Sequence, residues 1–322
     1  MQRKSKSRNK GYNVVGIDVS KASLDICILP EGICLHLAND KQGHDDLIRE
    51  LLNKTISCVA VEATGPYHVR LHQELDNAGF PVAVINPYRS WKFADICGRL
   101  AKTDRIDAEM LARFALHIDP PTMPAPTDLM IEINGLVHAR EALITDRTVL
   151  KNRIESTSLQ QLKVLFKKRI QDLTADIEVL EFDIIALIKN DVNLERRFQV
   201  LLSIPGIGVV TAMTLIAAMP ELGHATGKEI AALTGVAPMN WDSGLMRGKR
   251  SIRGGRHAVR KALYMPALSV ATRGETPFSK SYQTLIKKGK PFKVAITAIM
   301  RKLIVLANIL IRKNVMWDPE LA

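Results

Sequence analysis

Residues 14–37 read VVGIDVSKASLDICILPEGICLHL. Three short apolar runs, Val14 to Val19, Leu24 to Leu29 and Ile33 to Leu37, are separated by Ser/Lys and Pro-Glu-Gly turn chemistry. Strands this short, joined by turns this tight, pair antiparallel, so the segment predicts a three-stranded meander. Outward from it, the pattern predicts a helix near Asp45 to Leu52, a strand over Ser57 to Glu62 and a helix over Val69 to Ala78. A strand over Pro81 to Ile85 and helical segments through His117 follow. Strands alternating with helices favour parallel pairing, and a meander followed by such units makes a mixed sheet with helices against its faces.

The expected class is therefore α/β plus α, with the α/β domain over residues 13–119. Pro120, Pro121, Pro124 and Pro126 exclude a helix or a central strand and predict a linker over 120–127. Residues 128–192 read as helical, with Ile170, Ile177 and Ile184 alternating with Leu173, Leu180 and Leu187 in heptads. Isoleucine at a with leucine at d favours two parallel strands, a coiled coil that would join protomers; the alternative is a helical hairpin packed on its own chain. Residues 193–322 read as a helical, basic domain. Its Ile204-Pro205-Gly206-Ile207-Gly208 has the form of a helix-hairpin-helix turn, whose amides can receive a phosphate, or which turns the chain and nothing more.

With 322 residues, 47% of them hydrophobic, the chain can bury two or three cores, which excludes a mostly disordered protein. Lys plus Arg number 45 against 33 Asp plus Glu, a net charge of +12 that attracts polyanions, nucleic acid first among them. The longest strongly apolar stretch, Leu303 to Ile311, falls short of a membrane span, so no membrane partner is expected. The basic tail over 1–12 has no apolar run behind it that could serve as a signal core, so the expected location is cytoplasmic. Cys27, Cys34, Cys58 and Cys97 lack metal spacing and read as buried reduced thiols, and His68 and His72 lack a further ligand.

The acids carry the first chemical signal. Asp18 interrupts an apolar strand, where a carboxylate is costly without a partner, and Glu62 ends a second such strand. Asp104 and Asp107 stand three apart at a helix start and share a face, although acids there are also ordinary partners of the helix dipole. Oxygen-rich clusters suit Mg²⁺ or Mn²⁺, and two such ions about 3.5–4 Å apart stabilise both oxygens of a phosphodiester displacement.

The second signal lies in the C-terminal domain. Trp241-Asp242-Ser243-Gly244 precedes a run with seven basic residues and no acid: Arg247, Lys249, Arg250, Arg253, Arg256, Arg260 and Lys261. Phosphate neutralisation explains such a run, and Gly248, Gly254 and Gly255 interrupt any helix and allow close approach to a ligand. A serine beside glycine is by itself ordinary turn chemistry.

Gly16-Ile17-Asp18-Val19-Ser20-Lys21, Glu62-Ala63-Thr64-Gly65-Pro66-Tyr67, Asn86-Pro87, Lys102-Thr103-Asp104-Arg105-Ile106-Asp107-Ala108, Ile204-Pro205-Gly206-Ile207-Gly208 and Ala262-Leu263-Tyr264-Met265 occur in this order. The ordered set, running from about Val14 to past Ala267, resembles the DEDD transposases of bacterial insertion sequences and the related Piv pilin-gene invertases. The resemblance implies a RuvC-like RNase H fold in the first domain, with Asp18, Glu62, Asp104 and Asp107 holding Mg²⁺. It also implies a C-terminal transposase domain in which Ser243 attacks DNA and holds it as a phosphoserine, with Ser251 in reserve. The acids and Ser243 are more than a hundred residues apart, so the active site would be composite, within a dimer or tetramer. The insertion-sequence branch is similar in using a bridge RNA that pairs with donor and target DNA, whereas the Piv branch performs site-specific inversion. The basic tail and the short interval from Asp18 to Glu62 depart from the family pattern. A RuvC-like nuclease that cuts with water would need the acids but not Ser243, and a non-catalytic scaffold would need neither.

Overall fold

The computed structural model describes residues 12–63, 65–98, 103–240, 242–244, 246–248, 250–274 and 276–318. The expected basic tail, apart from Tyr12, and Thr64, Lys102, Trp241 and Lys249 lie outside the described residues. The chain forms two compact units, Met1–Thr127 and Asp128–Ala322.

In the first unit β1 (Asn13–Val19), β2 (Ser23–Leu29) and β3 (Ile33–Ala38) form the antiparallel meander. β4 (Ile56–Glu62) and β5 (Val82–Ile85) add in parallel on the other side of β1, in the order β3-β2-β1-β4-β5. Helix α1 (Lys41–Leu52) precedes β4, α2 (His68–Asn77) joins β4 to β5, and α3 (Pro87–Ile96) and α4 (Asp104–Ile118) follow β5. This is the mixed sheet with helices on its faces that the pattern predicts.

Because side chains alternate along a strand, the sheet has two buried faces. Val15, Ile17, Leu24, Ile26, Val59 and Val61 pack with Leu47 and Leu51 of α1 and Leu71 and Leu75 of α2. Val14, Cys58, Ala60, Ala83 and Ile85 pack instead with Leu111, Phe114 and Ala115 of α4. The same parity sends Asp18 and Glu62 to the α4 side. Helix α4 lies close there because β1 has no side chain at Gly16: a β-carbon would stand 2.2 Å from Ala108 O and Ala112 N.

The proline-rich segment 120–127 is extended, as proline requires, and it is fastened to the first unit. Met123 N donates to Val82 O (2.8 Å), Ala125 N to Asp76 Oδ2 (2.9 Å), His72 Nε2 to Met123 O (3.1 Å) and Gln73 Nε2 to Pro126 O (3.0 Å). The segment expected as a linker is also a strap across α2 and β5.

The second unit opens with two long helices, α5 (Asp128–Ser156) and α6 (Gln160–Asn190). Arg140 Nε reaches Glu181 Oε1 (2.7 Å) and Arg147 Nη1 reaches Thr174 Oγ1 (3.2 Å), so the helices run antiparallel as a hairpin. The parallel-coiled-coil expectation is corrected here: Ile177 and Ile184 are buried within the chain, on the seam that α5 covers. A heptad names the apolar face of a helix, not the chain that covers it. Ile133 and Val137 of α5 and Ile184 and Ile188 of α6 belong to the core that α7 (Val192–Ser203), α8 (Val209–Ala218) and α9 (Gly227–Thr234) build with later helices.

The Ile204–Gly208 turn joins α7 to α8. Gly206 has φ +82° and leaves only 2.6 Å between an added β-carbon and Val270 Cγ1, so the turn needs glycine for both conformation and space. After α9 come four two-residue strands: β6 (Pro238–Met239), β7 (Asp242–Ser243), β8 (Met246–Arg247) and β9 (Ser251–Ile252). β6 pairs with β9 and β7 with β8. Helices α10 (His257–Thr272), α11 (Pro277–Lys287) and α12 (Phe292–Lys313) complete a largely helical unit.

Helix α12 corrects the reading of apolar length, because its 22 residues are long and apolar enough to cross a membrane by length and composition. Ile296, Ile299, Leu303, Ile304 and Ala307 are instead in the core of the second unit, and half of the apolar window is buried. Among the cysteines, Cys27 and Cys58 are buried as expected, but Cys34 and Cys97 are exposed; all four are free thiols.

Candidate active site

Three elements of the first unit aim carboxylates at one place. Asp18 stands near the C-terminal end of β1, Glu62 at the C-terminal end of the parallel neighbour β4, and Asp104 and Asp107 in the first turn of α4. Thr103 caps that helix, accepting from Ile106 N through its side chain, and so fixes the turn that carries both aspartates. One oxygen each from Asp18, Asp104 and Asp107 lie within 4.8 Å of one another. Glu62 is outside this triad of oxygens; its Oε2 accepts a hydrogen bond from the hydroxyl of Ser90, a buried residue of α3.

Burial pushes the Asp18 carboxyl up from 3.8 to about 6, with the charges of Asp107, Glu62, Asp104 and Asp25 adding to the effect. Several negative charges thus act on one half-buried carboxyl. A donor set made only of carboxylate oxygens at this spacing fits a hard divalent ion such as Mg²⁺ or Mn²⁺.

Two contributors escape sequence reading. Ser90 orients Glu62 across a separation of 28 residues, with no signal beyond its place in the helix opened by Asn86-Pro87. Asp25 is the cross-strand partner of Asp18 and is held by His36 Nδ1 at 3.0 Å; the meander register, once drawn, would have found it. His68 and His72 bond to the carbonyls of Gly65 and Met123 and share no ligand geometry.

In the second unit Ser243 is exposed on β7, opposite Met246 of β8, next to Gly244 at φ +55°. Asp242 Oδ1 accepts from Gly248 N (3.2 Å), closing the small arm. Ser251 lies in β9, at the base of the arm.

The basic run divides. Arg247, Arg250 and Arg253 are exposed. Arg256 instead forms a bidentate pair with Glu221 (Nη1 to Oε2 2.7 Å, Nη2 to Oε1 2.6 Å), Arg260 Nη1 donates to Gly254 O (2.8 Å), and Lys261 pairs with Glu141 (3.3 Å). Burial acts to raise the Glu221 carboxyl, but the hydrogen bonds and charge of Arg256 overcome it and hold the group below the ordinary glutamate value. These three residues are taken up by contacts within the fold.

The DEDD-type transposase family of IS110 matches residues 15–166, and the transposase family of IS116, IS110 and IS902 matches residues 198–283. The pilin gene-inverting protein of Moraxella bovis is 30% identical over 317 residues, covering 95% of this chain and 98% of that protein. Its counterpart in Moraxella lacunata is 29% identical over the same length. The structure of T. thermophilus RuvC in complex with a Holliday junction substrate aligns over 35% of this chain and 99% of its own, at 14% identity and a TM-score of 0.28. Two transposase matches, the first running through α5 into α6 and the second lying in the later helices, and near-full-length similarity to two invertases, establish that the chain belongs to the IS110-type DEDD transposase family and is homologous to the pilin-gene invertases.

Proposed function

We propose that the protein is a Mg²⁺-dependent DNA recombinase, active in the cytoplasm, that cuts and rejoins DNA through a phosphoserine at Ser243. The observation that carries the reading is the convergence of Asp18, Asp104 and Asp107 within 4.8 Å on a strand and a helix pressed together at Gly16. Asp18, Asp104 and Asp107, with Glu62 set by Ser90, would hold the metal. When bound, it withdraws charge from phosphate oxygens and eases deprotonation of an attacking hydroxyl.

Ser243 Oγ attacks the DNA phosphorus, the bond from phosphorus to a deoxyribose oxygen breaks, and the serine proton ends on that oxygen as a free DNA hydroxyl. One phosphodiester is exchanged for another, so the hydroxyl of a second DNA end reverses the step without a nucleotide cofactor. Arg247, Arg250 and Arg253 are exposed and would hold the backbone, and Lys249 joins them by sequence; Arg256, Arg260 and Lys261 are engaged instead with Glu221, Gly254 and Glu141.

Of the two outcomes open to the family, site-specific inversion is favoured, because both near-full-length relatives are pilin gene-inverting proteins. Transposition of an insertion sequence under a bridge RNA is the second reading, and the net charge of +12 suits either polyanion. A homo-oligomer would supply enough serines to exchange two duplexes.

The test is covalent trapping with Mg²⁺ and labelled DNA from the flanks of the gene, with and without co-expressed flanking RNA, on a denaturing gel. A protein-linked band lost in Ser243→Ala supports the serine mechanism. Free cut ends in both proteins, with no linked band, would leave a hydrolytic nuclease. A linked band independent of RNA favours inversion without a guide.

A further inference from the structure

Along one face of α12, away from any residue assigned a role above except Arg250 and Ser251, runs a groove walled by cations. Its upper part, a cavity of about 380 Å³, lies where β6 and β9 meet α12. Arg250, Lys293 and Arg301 line it, Ser251 contributes a hydroxyl, and Ile252 and Val294 provide apolar surface. A second cavity of about 770 Å³ shares Ala298 and Arg301 with the first and adds Lys228 and Lys302. No carboxylate lines either cavity, and among the described residues none pairs with Arg250, Lys293 or Arg301. The sequence accounts for this: residues 276–317 hold nine Lys and Arg and no Asp or Glu.

We infer that this groove holds a single DNA strand, with phosphates on Arg250, Lys293, Arg301 and Lys228 and an unstacked nucleotide against Ile252 and Val294. Lining residues recur at 293, 297, 301 and 305, one per turn of α12, a line of about 18 Å, and the cations Lys293 and Arg301 stand two turns apart on it, about 12 Å, so they mark a track and not a single anion site. A cavity of about 380 Å³ accepts one nucleotide-sized group. Apolar surface beside unpaired cations is what a base and sugar between two phosphates need. DNA is the occupant because β9, which forms one wall, leads directly out of the arm that carries Ser243; a strand joined to that serine enters the groove at the foot of the arm. The inference thus rests on the reading of Ser243 as the DNA nucleophile.

Its test is independent of chemistry. Full-length Ser243→Ala protein in EDTA is titrated onto a short labelled single-stranded deoxyoligonucleotide and followed by fluorescence anisotropy. The Lys293→Ala/Arg301→Ala double variant is expected to bind at least about tenfold more weakly, and to lose about 1 from the slope of log affinity against log salt. Val294→Glu, at a side chain already 52% exposed, adds a carboxylate without touching the core and gives a similar loss. Equal affinity for the parent and both variants overturns the proposal. So does a loss confined to RNA of the same sequence, which would make the occupant RNA. Failure of the serine reading shows elsewhere, as a linked band that survives Ser243→Ala, so the two outcomes are separable.

Discussion

Gly16 of β1 lies directly beneath Ala112 of α4, so close that a β-carbon on the glycine would stand 2.2 Å from the Ala112 amide nitrogen. Two backbones in contact hold the carboxylates of both elements together. Gly16→Ala forces α4 outward; the expected cost is about 1–3 kcal/mol, as for other overpacked cores. Thermal unfolding should show that loss, and calorimetric titration should show Mn²⁺ binding reduced beyond what stability explains, because Asp104 and Asp107 move away from Asp18.

Asp107→Asn should separate stability from function. Oxygens of Asp18, Asp104 and Asp107 lie within 4.8 Å of one another, a spacing that serves a metal, so replacing Asp107 should leave the melting temperature in EDTA in place. Mg²⁺ should stabilise the parent and leave the variant unmoved, and the covalent adduct should vanish. A lower melting temperature in EDTA would show that the carboxylate serves the fold.

Arg256 and Arg253 stand three residues apart and should respond in opposite ways. Arg256→Ala strands Glu221 and should destabilise the protein by about 1–3 kcal/mol. Arg253→Ala, at an exposed residue, should leave the melting temperature in place and weaken DNA binding with a shallower salt dependence. Denaturant titration beside filter binding distinguishes the two.

Acid should loosen the first unit. Burial holds His44, His68 and His72 below the ordinary histidine value. Folded values below the unfolded one mean that their stabilising contribution is complete above about pH 6.5 and is lost as pH falls through the folded values. In an Asp18→Asn background, which removes the opposing gain of a carboxyl raised to about 6, melting temperature should drop between about pH 7 and pH 5. His72→Gln, which keeps a donor for the Met123 carbonyl without titrating, should flatten that drop.

The five strands of the sheet were legible to within a residue, because alternation of period two is written in the residues themselves: Val15, Ile17 and Val19 against Val14, Gly16 and Asp18. The acids at strand ends and at the capped start of α4 were legible for the same reason. What sequence order does not contain is which distant group meets them. Ser90 on Glu62, Glu221 on Arg256 and Glu141 on Lys261 are contacts across 28, 35 and 120 residues, and a charge run looks equally free whether or not such a partner exists. The heptads of α6 likewise specify a seam, and only the fold shows that α5 fills it. In α12, Arg301 and Lys302 broke the apolar run into short pieces, although both lie along the groove while Leu303 and Ile304 reach the core.

The arm that bears Ser243 begins beside where it ends, since Met239 and Ser251 are paired in β6 and β9. The described residues between them are an excursion from a closed base. Such a segment can lengthen, shorten or change its composition over evolutionary time while the body of the unit stays as it is. The carboxylates have no such freedom, because their spacing depends on a sheet, a helix and a glycine contact at once. One fold can therefore diversify the arm around its serine while preserving the centre that activates it, and related enzymes that rearrange different sites should keep Ser243 and differ most in the arm residues that flank it.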